Sequence, residues 1–423
     1  MQMQVWQLRV ALALLRPAVP RRPSLEVLTS VLLKDGYVTA SNLETRIDVA
    51  LPEVQGAVLL PYRDAVDLLQ NIPGNTPMTI MGMQEGKSTK VSILAGETMV
   101  SYNVPLEEDY PQGKELVIQS EFSTGGDAFI KALQEVSSYA DRGTARPMLH
   151  GVILLPGEEQ AMWAGDGFRL AYRPLPPGIR LEKEKAIIIP LEAAETLGYV
   201  WGKSPKSPAV GEESGMIGIV TGQRPMVVSV GSDRLRFTFG RVTIMSPRVV
   251  GSPPDYLPLI PQDLPHIVTV HAESFRRALK SLGKIASDAN EIVRLSWDSQ
   301  LLTISAASPE GRGKVQLPAK VEGGEGKIAF KLGYLLEYLA GKDGPVTIKC
   351  STPTRPALMG DGSKTKVIQM PMFVQDEGEN PTPPPEPEPP AEEAVSEAAS
   401  EESVDAVGEE AKPKARRKRR KAA

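Results

Sequence analysis

The sequence predicts an α+β protein in which one strand–helix unit is used three times. Three observations carry that expectation. An apolar strand runs straight into a helix at AVLLPYRDAVDLLQNIP (57–73), KAIIIPLEAAETLGYVW (185–201) and GKIAFKLGYLLEYLAGK (326–342). Their starts lie 128 and 141 residues apart, which is a domain-sized period. Each is preceded by a further amphipathic helix and by short alternating segments, as expected for a one-sided antiparallel sheet covered by helices. With 423 residues, 41% of them apolar, the chain can fill several cores; 37 glycines and 38 prolines supply turns. A threefold repeat points to a curved or ring-like body, not to one catalytic pocket.

The first unit spans about 1–117. Val5, Leu8, Leu12 and Leu15 recur at helical spacing, so 4–15 is a helix and not a targeting peptide: it lacks an early basic cluster and a cleavage site. SLEVLTSVLL and GYVTASNLETRIDVALP alternate as strands, AVLLP is a strand, and Tyr62 to Gln70 is a short helix. MTIMGM, KVSILAG and TMVSYNVP complete a meander. The second unit spans about 118–263. LVIQSEF is a strand, Asp127 is the expected N-cap of FIKALQEVSSYAD, and HGVILLPG and QAMWAGDGFRLAYRPL are strands. A second helix starts near Leu191. GKSPKSPAVGEESG (202–215) has no periodicity and is expected as a mobile surface insertion; MIGIVTG, PMVVSVG and RLRFTFG follow as strands. The third unit spans about 264–375: the strand HIVTV, the helix HAESFRRALKSLGKIA, the strands VRLSWD, LLTISAAS and KVQLPAKV, then strand plus helix KIAFKLGYLLEYLAG. PVTIKCS, RPALMG and KVIQMPMFV close the sheet.

The remainder, 376–423, is a tail. It has 13 acidic residues and no basic one over 376–410, then 8 basic and no acidic ones over 412–421. Its Pro/Glu-rich part cannot form a core. The first 375 residues hold 40 basic against 39 acidic residues, so the body is nearly neutral. Any nucleic-acid surface depends on how charges are placed.

No catalytic constellation is legible. The one cysteine, Cys350, cannot form an internal disulfide and reads as a buried strand residue. His150, His266 and His271 lack metal-ligand spacing, and no phosphate-binding G-x-x-x-x-G-K-[ST] occurs. No cofactor is implied, and no apolar run is long enough to span a membrane. An enzyme reading rests on Asp166 and Arg169 in GDGFRLA and predicts clustered polar residues there; Asp-Gly otherwise makes a tight turn before a strand. Basic residues do recur on the first helix of each unit or just beyond it. They are Arg9 and Arg22, then Lys131, Arg142 and Arg146, then Arg276, Arg277, Lys280 and Lys284. That recurrence is expected of a phosphate-facing, sequence-independent surface.

The order of these elements resembles the bacterial-type DNA polymerase III beta subunit, the polymerase processivity clamp, over roughly 1–374. The run VRLSWDSQLLTISAASPEGRGKVQLP followed by KIAFKLGYLLEYLAG has that family's order and spacing. KVIQMPMFV is similar to its closing strand, GDGFRLA to its Asp-Gly-His-Arg-Leu-Ala strand, PPDYLPLIP to its linker, and RRPSLEVLTSVLL with TASNLETRIDVAL to its opening. The resemblance implies the DNA-clamp fold: three similar domains, each with two helices packed on antiparallel sheet, closing as a head-to-tail dimeric ring. Such a ring encircles double-stranded DNA and tethers a polymerase without catalysing anything. It implies a groove for short apolar peptides of polymerase and clamp-loader subunits. Gly167, Phe168, Arg169 and Leu170 would line one side, with Pro254, Tyr256 and Leu259 from the linker and Met370, Pro371 and Met372 from the closing strand. The homodimer contact in the third unit is expected near Ile285. A cytoplasmic, nucleoid-associated protein is implied, in a host's cytoplasm if phage-encoded. The runner-up reading is a non-replicative DNA-binding or scaffold protein that uses the fold without closing a ring. Phe168 stands where the family often has His, and Phe373-Val374 replaces Arg-Leu.

Overall fold

Apolar residues three and four apart bury one stripe of each helix. In α1 (Val5–Leu15) the stripe is Val5, Leu8, Ala11, Leu12 and Leu15, and in the helix Ala272–Ser281 it is Phe275, Ala278 and Leu279. The other helices are α2 (Tyr62–Gln70), α3 (Gly126–Ser137), α4 (Leu191–Lys203), α5 (Ala272–Ser281), α6 (Gly283–Ser287) and α7 (Leu332–Tyr338). They pack as pairs, α1 on α2, α3 on α4 and α5 on α7, and α1 also meets α4. The computed structural model describes residues 1–374 except 144, 157–159, 180, 182–185, 206–223 and 289. The unit Met1–Val374 is compact. The tail, the segment MIGIVTG and most of the expected insertion lie outside the described residues.

Two large antiparallel sheets each join strands from distant parts of the chain. One runs Ala57–Pro61, Ser30–Lys34, Tyr37–Ser41, Arg46–Ala50, Val242–Pro247, Arg234–Phe239, Pro225–Val230 and Ser120–Gly125. The other runs Ile187–Pro190, Gly151–Leu155, Ala161–Gly165, Arg169–Pro174, Lys366–Gln369, Ala357–Gly360, Pro345–Cys350, His266–His271 and Lys320–Glu322. The first joint is the pairing of Ile47 with Ile244, and the second is that of Leu170 with Ile368. Two four-stranded sheets complete the unit: Gln2–Gln4, Pro77–Glu85, Ser88–Ala95 and Thr98–Val104, and Gly311–Pro318, Leu301–Ser308, Ile292–Trp297 and Gly326–Lys331. Cys350 is buried in its strand, as expected, and burial pushes its thiol up to about 11.

Several boundaries differ from the sequence expectation. SLEVLTSVLL opens as a 3-10 turn, Glu26–Thr29, that buries Val27 and Leu28, and its strand starts only at Ser30. LVIQSEF is extended from Ser120 because the partner strand ends at Val230. Asp127 lies inside α3 and does not cap it; its carboxylate accepts from Trp201 Nε1 (3.0 Å) and Arg224 Nη2 (3.3 Å). The long helix of the third unit breaks at Leu282, just before Gly283, a poor helix former. KVQLPAKV divides after Pro318 between two sheets, and KVIQMPMFV leaves its sheet after Gln369, since Pro371 has no N–H. Gly202 and Lys203 belong to α4. The strand Val242–Pro247, which makes the first joint, was not singled out from the sequence.

Candidate functional site

At the second joint a tight turn connects Ala161–Gly165 to Arg169–Pro174. Asp166 Oδ1 accepts from the backbone N–H of Phe168 (2.9 Å) and of Arg169 (3.0 Å), and the Asp166 N–H donates to the Arg169 carbonyl (3.1 Å). Gly167 sits at φ +87°, a conformation that favours glycine, and a Cβ there would displace the Arg146 guanidinium, whose Nη1 lies 2.1 Å from its place. The Phe168 carbonyl accepts from the Met370 N–H (2.8 Å), which brings the end of the last strand alongside the turn.

Side chains alternate across this sheet. Met162, Ala164 and Ala171 face the main core, whereas Ile153, Trp163, Leu170, Ile188, Tyr256 and Ile368 form a separate cluster on the opposite face. Above that cluster opens a slot of about 200 Å3. Gly167, Phe168, Arg169, Leu170, Pro254, Leu259 and Met370, all among the residues expected at a peptide groove, line it. Tyr256 does not line it: it is buried beneath, stacked on Trp163 (centroids 5.5 Å apart) and close to Tyr172 (5.7 Å). Pro371 and Met372 also fall outside the lining; after Pro371 the chain turns away and the Met372 N–H donates to the Ala329 carbonyl (2.8 Å). The sequence reading missed Leu149, Trp163, Gly165, Asp255, Pro356 and Ile368. Trp163 and Gly165 share a face by strand alternation, a signal that was present. Leu149 and Pro356 reach the slot from loops, with no local signal.

Arg169 separates the slot from a polar cleft of about 800 Å3 between the ends of α3 and α7. It is nearly buried, donating to Asp166 Oδ2 (3.0 Å) and pairing with Glu337 (2.5 Å), its guanidinium over the rings of Tyr334 (4.5 Å) and Tyr139 (5.0 Å). Burial works against its charge, yet bonding to Glu337 and Asp166 outweighs burial and raises its pKa. Burial pushes Tyr139 up to about 12. Across the cleft Asp361 is held down to about 2: burial opposes ionisation, but Lys342 and Ser363 outweigh it. Clustered polar residues and an apolar slot are thus both present, on opposite sides of one turn. The enzyme reading fails on Asp166 itself, because backbone amides hold one carboxylate oxygen and Arg169 the other. No group of three or more His, Cys, Asp or Glu side chains converges among the described residues.

His150 closes the loop that carries Arg146 and Leu149 to this site. Its Nδ1 lies 2.8 Å from the Asp141 carbonyl and its Nε2 2.8 Å from Glu192 Oε1. The bond to Glu192 holds the imidazolium above its ordinary pKa.

The basic residues divide into two kinds. Arg22, Lys131, Lys280 and Lys284 are exposed and form no ion pair among the described residues. Arg142 pairs with Glu195 (3.1 Å) and Arg277 reaches Glu273 (4.0 Å), while Arg146 is held by Asp141 (3.1 Å) and the Asp166 carbonyl (2.6 Å). Arg9 and Arg276 correct the expectation that both face outward. Arg9 donates to the carbonyls of Leu69 and Ile72 at the end of α2, and Arg276 to those of Leu339 (3.0 Å) and Lys342 (3.2 Å) at the end of α7. Helix ends leave carbonyls without partners, and a guanidinium supplies them. Each is the fifth residue of its helix; in α3 that place holds Ile130, and Arg224 serves the end of α4 instead. Ile285 is half-buried in α6 against the edge strand Gly311–Pro318, where a Cβ on Gly313 would lie 3.0 Å from its Cδ1.

Residues 258–375 match the family of the DNA polymerase III beta subunit, C-terminal domain. The beta sliding clamp of Streptomyces coelicolor is 25% identical over 352 residues, covering 81% of this chain and 88% of that protein. The DNA polymerase III subunit beta of Pseudomonas aeruginosa has the same fold, with a TM-score of 0.76 at 23% identity, over 88% of this chain and 100% of that one. So does the Pseudomonas aeruginosa sliding clamp bound to griselimycin, with a TM-score of 0.75 at 23% identity, over 88% and 99%. Residues 258–375 thus belong to the DNA polymerase III beta subunit family by their matched C-terminal domain, and over most of its length the chain is similar in sequence and fold to the beta sliding clamps.

Proposed function

We propose that the chain is a sliding clamp: a head-to-tail homodimeric ring that encircles duplex DNA and holds a DNA polymerase there, acting as a processivity subunit and not as a catalyst. The observation that carries the partner half of this reading is the apolar slot of about 200 Å3 at the second joint, large enough for one or two aliphatic side chains. The solved Pseudomonas aeruginosa clamp bound to griselimycin supports ligand binding in this fold. Short apolar peptides of polymerase and clamp-loader subunits are its expected occupants.

The ring half rests on the free sheet edges. Three domains, 1–117, 118–263 and 264–375, form half a ring, and the strands Thr98–Val104 and Gly311–Pro318 lie at the edges of the two four-stranded sheets. Pairing such edges between copies closes the ring, with Ile285 at the contact. Arg22, Lys131, Arg142, Arg146, Arg277, Lys280 and Lys284 face the DNA; Arg9 and Arg276 leave that set. A near-neutral body suits sliding, since tight phosphate contacts oppose it. No helix among the described residues is long and apolar enough to cross a membrane; on the clamp reading, the protein works beside its DNA in the cytoplasm.

The test is retention of loaded protein on circular and linearised DNA. Retention on circles with loss from linear ends is expected, together with a dimer in sedimentation. Equal retention on both, or a strict monomer at micromolar concentration, overturns ring closure. Ile285→Asp is expected to shift the dimer towards monomer.

A further inference from the structure

We infer that Trp163 is a specificity-determining contact of the slot, its indole N–H donating a hydrogen bond to an oxygen of the bound partner peptide. The inference rests on the peptide-groove reading and deepens it. Trp163 is 1% exposed and lines the slot, yet its Nε1 has no hydrogen-bond partner. A buried donor left unpaired is costly and points to an acceptor that arrives from outside. The other polar groups lining the slot are already engaged. Arg169 is held by Asp166 and Glu337, and Asp255 Oδ1 accepts from the Leu257 N–H (3.0 Å). Two further indoles show the ordinary arrangement: Trp201 Nε1 donates to Asp127 (3.0 Å) and Trp297 Nε1 to the Gly324 carbonyl (3.1 Å).

Gly165 shapes the slot wall next to the indole. It lies two residues along the strand from Trp163, on the same face, and also lines the slot. A Cβ there would crowd the Arg169 carbonyl (3.0 Å) and Leu170 Cβ (3.4 Å) of the paired strand, so this lining position carries no side chain. The stack on Tyr256 fixes the ring plane. A peptide whose apolar side chain fills the slot therefore brings its backbone or side-chain oxygen to a fixed donor. The partner class is a short peptide segment with an apolar residue next to an accessible acceptor oxygen, and not a purely hydrocarbon ligand.

The experiment uses the full-length protein and a fluorescein-labelled synthetic peptide carrying Leu-Phe in a Gly/Ser background. Trp163→Phe keeps the ring and removes the N–H; about tenfold weaker binding is expected. In parallel, the Trp163 indole N–H resonance, assigned by its loss in Trp163→Phe, is expected to move downfield and exchange more slowly when peptide binds the wild type. Binding by Trp163→Phe equal to wild type, or a bound wild type whose Trp163 indole resonance stays put, overturns this inference alone. A wild-type protein that ignores the peptide overturns the groove reading and this inference with it.

Discussion

The two joints share one backbone frame and fill it with opposite chemistry. At the first, Asn42 Oδ1 accepts from the N–H groups of Glu44 (3.1 Å) and Thr45 (2.7 Å), and the Asn42 N–H donates to the Thr45 carbonyl (3.1 Å). At the second, Asp166, Phe168 and Arg169 repeat that pattern. Strand register then places Thr39 opposite Asp48 in one and Trp163 opposite Tyr172 in the other. Thr39 donates to Asp48 (2.6 Å), which also holds Arg46 (2.9 Å), so these three polar side chains of the first joint satisfy one another. The chain from buried Tyr110 to Gly113 lies over it, with Arg46 Nη1 2.9 Å from where a Gly113 Cβ would be. The second joint has an aromatic floor, an unpaired donor and an open slot. One frame thus yields a structural seam and an open slot, according to which residues stand three places before and after the turn.

The contrast breaks most sharply at the paired positions. Trp163→Ala removes a buried indole stacked on Tyr256 and is expected to cost about 3–5 kcal/mol in urea unfolding. Thr39→Ala is expected to cost about 1–3 kcal/mol, leaving Asp48 with Arg46. Equal costs would mean that the two seams are energetically alike.

Next in size is the separation of structural cations from those proposed to face DNA. Arg276→Met is expected to lower stability by about 1.5–3 kcal/mol while leaving the salt slope of DNA binding unchanged, because its donors serve the end of α7. Lys280→Glu is expected to do the reverse, flattening the slope by about one unit. A flattened slope for Arg276→Met would return that residue to the DNA face.

A smaller, reciprocal effect is expected at the turns. Leu43 holds φ +77° where Gly167 holds φ +87°. Gly167→Ala is expected to cost about 1–3 kcal/mol, and Leu43→Gly to cost nothing or to stabilise by up to about 1 kcal/mol. Thermal unfolding of both variants checks the pair; destabilisation by Leu43→Gly would show that the first turn is held by its leucine.

The mildest effect is a pH dependence confined to the second joint. The folded-state pKa of His150 is raised by Glu192, so its contribution is present below about 6.5 and fades as pH rises through the folded pKa. NMR titration is expected to place His150 above that ordinary value in wild type and nearer to it in Glu192→Gln. An identical titration in both would remove Glu192 as the cause.

What was legible in the sequence follows from range. The strand–helix junctions read clearly because an apolar run followed by helical spacing is local; the helix at Tyr62–Gln70 is observed as expected. Most of the slot came from motifs of the resemblance, and the turn from Asp-Gly. The failures are non-local. Arg9 and Arg276 lie off the apolar stripes of their helices, and nothing nearby announces that a second helix ends within their reach. Leu149 and Pro356 come to the slot from distant loops, and the sheet pairings that fuse the halves join strands about two hundred residues apart.

The most direct test of the claim that only the second joint is a binding site is hydrogen–deuterium exchange of the full-length protein with and without the Leu-Phe peptide. Protection is expected at 163–170, 254–259 and 368–370, with none at 39–46 or 105–113. Protection at the first joint, or unchanged exchange at the second under saturating peptide, would contradict it.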